Sequence, residues 1–101
     1  MVRSRADTRP LPRVQWAIEP VRSRADLIVF FGSASRGENR RDSDTDLLVV
    51  ASDVDTVLSE LAQHPWLQPV VMTPARHMVL IAEGGTFAKE TARGITVWER
   101  T

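Results

Sequence analysis

Phe30-Phe31-Gly32-Ser33-Ala34-Ser35-Arg36-Gly37-Glu38-Asn39-Arg40-Arg41-Asp42-Ser43-Asp44-Thr45-Asp46-Leu47-Leu48-Val49-Val50 is the most informative stretch of the chain. The apolar run Leu27–Phe31 enters it and stops at Gly32, as a strand buried on both faces would. A polar stretch from Ser33 to Ser43 follows, punctuated by Gly37. Asp46–Ala51 then reads as a second buried strand. Side chains alternate along a strand, so Asp44 and Asp46 point to the same side. Two neighbouring carboxylates repel each other, and shared coordination of a hard cation relieves the repulsion. Mg²⁺ takes few carboxylates together with substrate phosphates, which suits a pair of aspartates and a nucleotide. Gly32 lets a phosphate approach the backbone, and Ser33 offers a hydroxyl where free N–H groups of a following turn would face an anion. Strand, anion-binding turn and metal carboxylates together describe a phosphoryl-transfer site working by positioning and charge neutralisation.

Three neighbouring patterns fail on single residues. Gly32-x4-Gly37 begins like a phosphate-binding P-loop, but Glu38 stands where Lys is required. Asp42-x-Asp44-x-Asp46 begins like a calcium loop, but Leu47 replaces its Gly and Asp53 its bidentate Glu. Ser33–Arg36 is not Gly-x-Ser-x-Gly, which excludes a hydrolase nucleophile elbow.

The rest of the chain arranges itself around the two strands. Residues 1–10 are polar and read as a flexible N-terminal segment, leaving 11–101 as a single domain. Leu11, Val14, Ile18, Val21 and Ala25 follow helical spacing, with Pro20 predicting a kink or break near Glu19. Asp53–Gln63 reads as a helix with Ser52 as N-cap and Val54, Val57, Leu58 and Leu61 on one face. Leu67–Met72 is a third strand, and Pro74 opens a short helix through Ala82. Gly84-Gly85 breaks the chain; Thr86–Arg93 reads as a last helix capped by Thr86, and Ile95–Glu99 as a final strand. The order α-β-turn-β-α-β-α-α-β predicts an α/β (α+β) domain: a small mixed β-sheet of about four strands flanked by helices. The hexapeptide Val-Arg-Ser-Arg-Ala-Asp occurs at Val2–Asp7 and again at Val21–Asp26, too short and solitary a repeat for a solenoid.

Composition narrows the function. Of 101 residues, 43% are hydrophobic, enough to build a core and to exclude wholesale disorder. Thirteen basic residues balance thirteen acidic ones, which argues against nucleic acid as a direct ligand held by bulk charge. The absence of cysteine excludes disulfide scaffolds, thiol nucleophiles and Cys-ligated zinc. The apolar runs are too short to span a membrane, and the Arg-rich start has no apolar stretch behind it, so a cytoplasmic protein is expected. The neutral balance hides an asymmetry: residues 1–41 carry nine Arg against four acids, and 42–101 four basic residues against nine acids. A basic strip beside an acidic pocket suits a polyphosphate arriving with a divalent cation, although most of these groups read as ordinary surface.

Gly32-Ser33-x10-Asp44-x-Asp46, with Arg36-Gly37 after the first turn and Ser43-Asp44 before the second strand, resembles the minimal nucleotidyltransferase (MNT) family. That family belongs to the polymerase-β-like nucleotidyltransferase superfamily. The flanking elements and the closing Arg93-Gly94-Ile95-Thr96-Val97-Trp98 fit the same pattern, so the resemblance runs from about Leu11 onward. It implies that Gly32, Ser33 and Arg36 hold a nucleoside triphosphate, that Asp44 and Asp46 bind Mg²⁺, and that Asp44, Asp46 and Ser33 form the catalytic set. It implies transfer of a nucleoside monophosphate, commonly AMP from ATP, to a hydroxyl. Many members are antitoxins paired with a HEPN-type helical toxin, which implies such a partner and a homo- or hetero-oligomer. The pattern departs in one place. The superfamily adds a third carboxylate on a later strand, and the matching Gln68-Pro69-Val70-Val71-Met72-Thr73 has no acid. Glu60, Glu83 and Glu90 are the remaining candidates in that half, and none sits on that strand. This favours a second reading, a nucleotide-binding antitoxin that neutralises its partner by complex formation.

Other residues carry less. Arg36 has two readings, a phosphate contact or an ion pair with Glu38 or Asp42. Arg40 and Arg41 read as solvated turn residues, and Lys89 and Arg93 as surface groups within reach of a triphosphate. His64 precedes Pro65 at a helix end and reads as a C-terminal cap, and His77 has no partner in view. Trp16, Trp66 and Trp98 read as core or interface residues rather than base-stacking platforms.

Overall fold

A computed structural model of the chain describes residues 11–32 and 45–100. The two apolar runs form the centre of the sheet. β1 (Ala25–Phe31) pairs antiparallel with β2 (Thr45–Ala51) on one side and with β4 (Ile95–Glu99) on the other. β3 (Leu67–Met72) runs parallel to β2, so the strand order is β3-β2-β1-β4. The sheet is therefore mixed and four-stranded, as the element order predicts. Parallel pairing of β2 and β3 needs a crossover, and α2 (Val54–Leu61) supplies it. Pro69 lies within β3, which is tolerated because β3 is an edge strand with one ladder to complete.

The helical pattern of residues 11–25 breaks where Pro20 falls. α1 covers Leu11–Ile18, and Glu19–Arg24 tightens into a 3₁₀ helix with Pro20 in its first turn. Ala25, which fits the helical spacing, instead opens β1. A bulge between Ala25 and Leu27 sets Ala25 on the same face as Ile28 and Phe30, so its burial satisfies both patterns. The cap of α2 is Asp53 rather than Ser52: its carboxylate accepts the Thr56 N–H at 3.2 Å. Hydrogen bonding from Thr56 holds the Asp53 carboxyl below the ordinary aspartate value. Thr73 caps α3 (Pro74–Glu83) by accepting the Arg76 N–H, and Pro74 suits its first turn. Gly84 closes α3 in the left-handed conformation. Gly85, not Thr86, precedes α4 (Thr86–Ala92), and no side chain caps that helix.

Alternation along the strands builds two cores. On one face Ile28, Phe30, Leu47, Val49 and Leu67 pack against Val14, Ile18 and Val21 and against Val57 and Leu61 of α2. On the other, Val29, Phe31, Leu48, Val50 and Met72 meet Leu80 of α3 and Phe87 of α4. That second cover is thin. α3 has no buried residue, and Met78, Val79 and Ile81 are exposed. The end of the chain is fastened to the start of β1: Trp98 Nε1 donates to the Ala25 carbonyl at 3.1 Å, and the Arg100 guanidinium reaches Asp26 and the carbonyls of Ser23 and Ala25. Among the described residues no helix is long and apolar enough to cross a membrane.

Candidate functional site

The site grows from the adjacent ends of β1 and β2. Phe31 pairs with Asp46, so the residue after Phe31 leaves the sheet beside the Asp46 carboxylate. That residue is Gly32, with φ +90°. A side chain is disfavoured there on two counts. An L-residue rarely adopts this φ, and a Cβ would fall on a carboxylate oxygen of Asp46, 3.2 Å from its Cγ. Gly32 thus leaves open the space directly against a half-buried carboxylate at the mouth of the sheet.

Asp46 lies on the face covered by α3 and α4, since it alternates with Leu48 and Val50 of that core. Phe31 on the same face meets Phe87 edge-on, with ring centroids 5.6 Å apart. Phe87 is steadied from its own helix: the Thr91 hydroxyl donates to the carbonyls of Phe87 and Ala88 at 3.0 and 3.1 Å. On its other side Asp46 pairs in register with Gln68 of β3. Paired residues share a face, so Gln68 is the β3 side chain placed beside Asp46. The strand without an acid therefore lines the site with an amide. Of the acids weighed for the third carboxylate, Glu60 belongs to α2 in the opposite helical layer, Glu83 ends α3 and is exposed, and Glu90 is half-buried on α4, a helix that covers the Asp46 face.

Of the residues expected to form the site, Gly32 and Asp46 are brought together. Ser33, Arg36 and Asp44 lie outside the described residues, as does the segment 1–10. Among the described residues no group of three or more His, Asp or Glu is gathered to hold a metal. The donor chemistry still fits a hard cation: the Asp46 carboxylate offers oxygen at a cradle that a Cβ would fill.

The structure adds what single residues could not reveal. Gly94, at the turn from α4 into β4, lies so close to β1 that a Cβ would come within 2.6 Å of the Phe30 carbonyl and 2.9 Å of Phe31 Cβ. It lets β4 close on the strand that carries the site. A cavity of about 210 Å³ lies under α3 and α4, bounded by Val29, Leu48, His77, Ile81 and Thr91. His77 thus has a place, on the wall of this cavity. His64 is not only the end of a helix: its ring meets Trp16 at 5.1 Å and Trp66 at 5.5 Å. No sequence signal linked these three rings, because their contacts depend on how α1 crosses the end of α2.

With this geometry in place, three comparisons bear on it. Residues 16–92 match the family model described as the nucleotidyltransferase domain. The fold is similar to the crystal structure of a candidate nucleotidyltransferase from Sulfolobus solfataricus, with a TM-score of 0.63 over 94% of this chain and 85% of that one, at 18% identity. No curated protein matches the chain.

Proposed function

Since the chain belongs to the nucleotidyltransferase domain family, we propose that it is a Mg²⁺-dependent enzyme transferring AMP from ATP to a hydroxyl of a partner protein, as the MNT antitoxin of a HEPN-type helical toxin. The observation that carries the transfer reading is the contact between Gly32, at φ +90°, and the Asp46 carboxylate. It joins a close-approach glycine to a carboxylate at the adjacent ends of two buried strands, an arrangement that suits a phosphate approaching the backbone beside a metal ligand. The MNT assignment and the antitoxin role rest on the motif Gly32-Ser33-x10-Asp44-x-Asp46.

Transfer forms a bond from the acceptor oxygen to the α-phosphorus and breaks the bond to the β-phosphate bridge. Pyrophosphate leaves, and the acceptor loses its proton. Magnesium held by Asp44 and Asp46 would supply charge neutralisation on the phosphates. Gly32 keeps the backbone out of the way of the triphosphate, and Ser33 and Arg36 would contact it. The Gln68 amide is no base, so β3 supplies none beside Asp46 and proton removal falls to another group or to solvent.

That last point supports a second reading, in which the chain binds nucleotide and partner without turnover. The two are separated by incubating the protein with α-labelled ATP, Mg²⁺ and its genomically adjacent partner. Label on the partner that disappears with Asp46→Asn supports transfer. A stable complex without label, unchanged in Asp46→Asn, supports binding alone.

A further inference from the structure

A second concave surface lies away from the Asp46 face. A cleft of about 420 Å³ lies in the helical layer on the opposite face of the sheet, lined by Trp16, Glu19, Pro20, Glu60, Gln63 and His64. Its size falls in the range of about 300–1,000 Å³ usual for ligand sites. Trp16 is 66% exposed, an unusual position for an indole unless something covers it.

The other two tryptophans show what covers an indole in this protein. The Arg13 guanidinium sits over Trp66 at 4.2 Å from the ring centroid, and the Arg22 guanidinium over Trp98 at 5.3 Å. Among the described residues Trp16 has no such cation; His64 meets it edge-on, interplanar angle 67°. Two carboxylates line the same cleft. Glu19 pairs with Arg22 at 3.1 Å in an exposed contact, which is weakly held. Glu60 accepts from the neutral Gln63 amide at 3.3 and 3.4 Å, so its charge is solvated but not cancelled there. An aromatic wall with carboxylates at its rim selects a cation. It disfavours a nucleotide base, whose phosphates these carboxylates would repel. A planar guanidinium can stack on the indole and direct its fork to a carboxylate together, which an ammonium cannot.

We infer that this cleft is a binding site for an arginine side chain of a partner protein, stacked on Trp16 and paired with Glu60. The inference stands apart from the transfer chemistry, since none of its residues lies on the Asp46 face. It also places the partner at the site end of the sheet: the ring of Trp66 meets His64, and the Trp66 backbone carbonyl accepts the Thr45 N–H at 3.1 Å, one residue from Asp46.

The probe is capped arginine, titrated into the ¹⁵N-labelled full chain while the Trp16 indole N–H resonance is followed. Trp16→Phe identifies that resonance by its loss. A saturable shift is expected with arginine and none with capped citrulline, which keeps the shape and removes the charge. Glu60→Gln should weaken arginine binding about fivefold, the upper range for an exposed charge pair. Trp16→Ala should weaken it by about as much, read on the His64 ring resonances. Both substitutions are at the surface, and an unchanged thermal midpoint shows that the fold is intact. No shift with arginine, an equal shift with citrulline, or unchanged affinity in Glu60→Gln would each overturn the assignment. A stronger response to AMP than to arginine would overturn it in favour of a base platform. None of these outcomes bears on AMP transfer, which Asp46→Asn tests separately.

Discussion

Replacing Gly32 by Ala tests the geometry of the site most directly. Two costs are involved, and they can be separated. An L-residue at φ +90° carries a backbone penalty of roughly 1–3 kcal/mol. The added Cβ also overlaps the Asp46 carboxylate, which must swing away. Because Gly32 closes a strand end rather than filling a core, the fold should survive. At roughly 4–8 °C per kcal/mol for a domain of this size, the backbone cost alone should lower the thermal midpoint by about 4–24 °C. The functional loss should be larger. A displacement of about 1 Å in a catalytic group costs on the order of a hundredfold, so transfer of labelled AMP should fall by about that factor. The decisive measurement is a double-mutant cycle. In an Asp46→Ala background the Cβ has no carboxylate to meet, so Gly32→Ala should cost only the backbone term there. The difference between the two backgrounds reports the overlap. Equal destabilisation in both, together with unchanged nucleotide binding in Gly32→Ala, would refute the claim that glycine is needed here to clear Asp46.

Gly94→Ala should behave differently: its Cβ would press on the Phe30 carbonyl and Phe31 Cβ, so unfolding by denaturant should show a loss of about 1–3 kcal/mol with nucleotide affinity of the folded fraction unchanged. Gln68→Glu keeps the side-chain shape and sets a carboxylate beside Asp46; if proton removal limits transfer, labelling should accelerate at least tenfold and its rate should acquire a pH-dependent limb, against about 10²–10⁴ for a well-placed base. A rate that is flat with pH and no faster than wild type would show that the acceptor hydroxyl does not pass this position. Asp53 supplies a stability test with a definite sign. Its folded pKa is lowered, so its contribution is complete above the unfolded value and is lost as pH falls through the folded one. The stability gap between wild type and Asp53→Ala should therefore narrow as pH drops below about 3.9, the ordinary aspartate value.

The strands and their succession along the chain were legible because each is a compact apolar run bounded by glycine, proline or polar turns; their order in the sheet was not. β1 and β2 needed no context: five successive apolar residues at Leu27–Phe31 can only be buried on both sides. The pairing of glycine with carboxylate was legible too, since Gly32 ends one run and Asp46 begins the next. What escaped was register. That β3 has no acid is visible in the sequence; that Gln68, and not Val70, is the residue paired with Asp46 depends on where the β2–β3 ladder starts. The caps missed by one residue for a similar reason. Ser52 and Asp53 are both good N-caps, and only the backbone decides which reaches Thr56. Ala25 was misplaced because helix spacing and a bulged strand bury the same positions. The contact of Trp16 with the turn of His64 and Trp66 left no local trace, because Trp16 lies on α1 and meets that turn only in the folded chain.

The two cores divide the labour of the molecule. The face packed by α1, the 3₁₀ helix and α2 contains Ile18, Ile28, Phe30, Leu47 and Leu61, all with no exposed surface. The face bearing Asp46 is covered by two short helices, of which α3 buries nothing completely. Fully buried aliphatic and aromatic side chains each contribute roughly 1.5–3 kcal/mol, so the stability is weighted to the first face. The second face can then accept the features of the proposed site that a core would not: a half-buried carboxylate at a strand mouth, a backbone at positive φ and an exposed amide beside them. This explains why Gly32→Ala is expected to harm activity more than folding. It also sets the order of experiments. Substitutions on the Asp46 face report chemistry with the fold largely preserved, whereas a loss of activity from substitutions at Phe30 or Leu47 would report unfolding first.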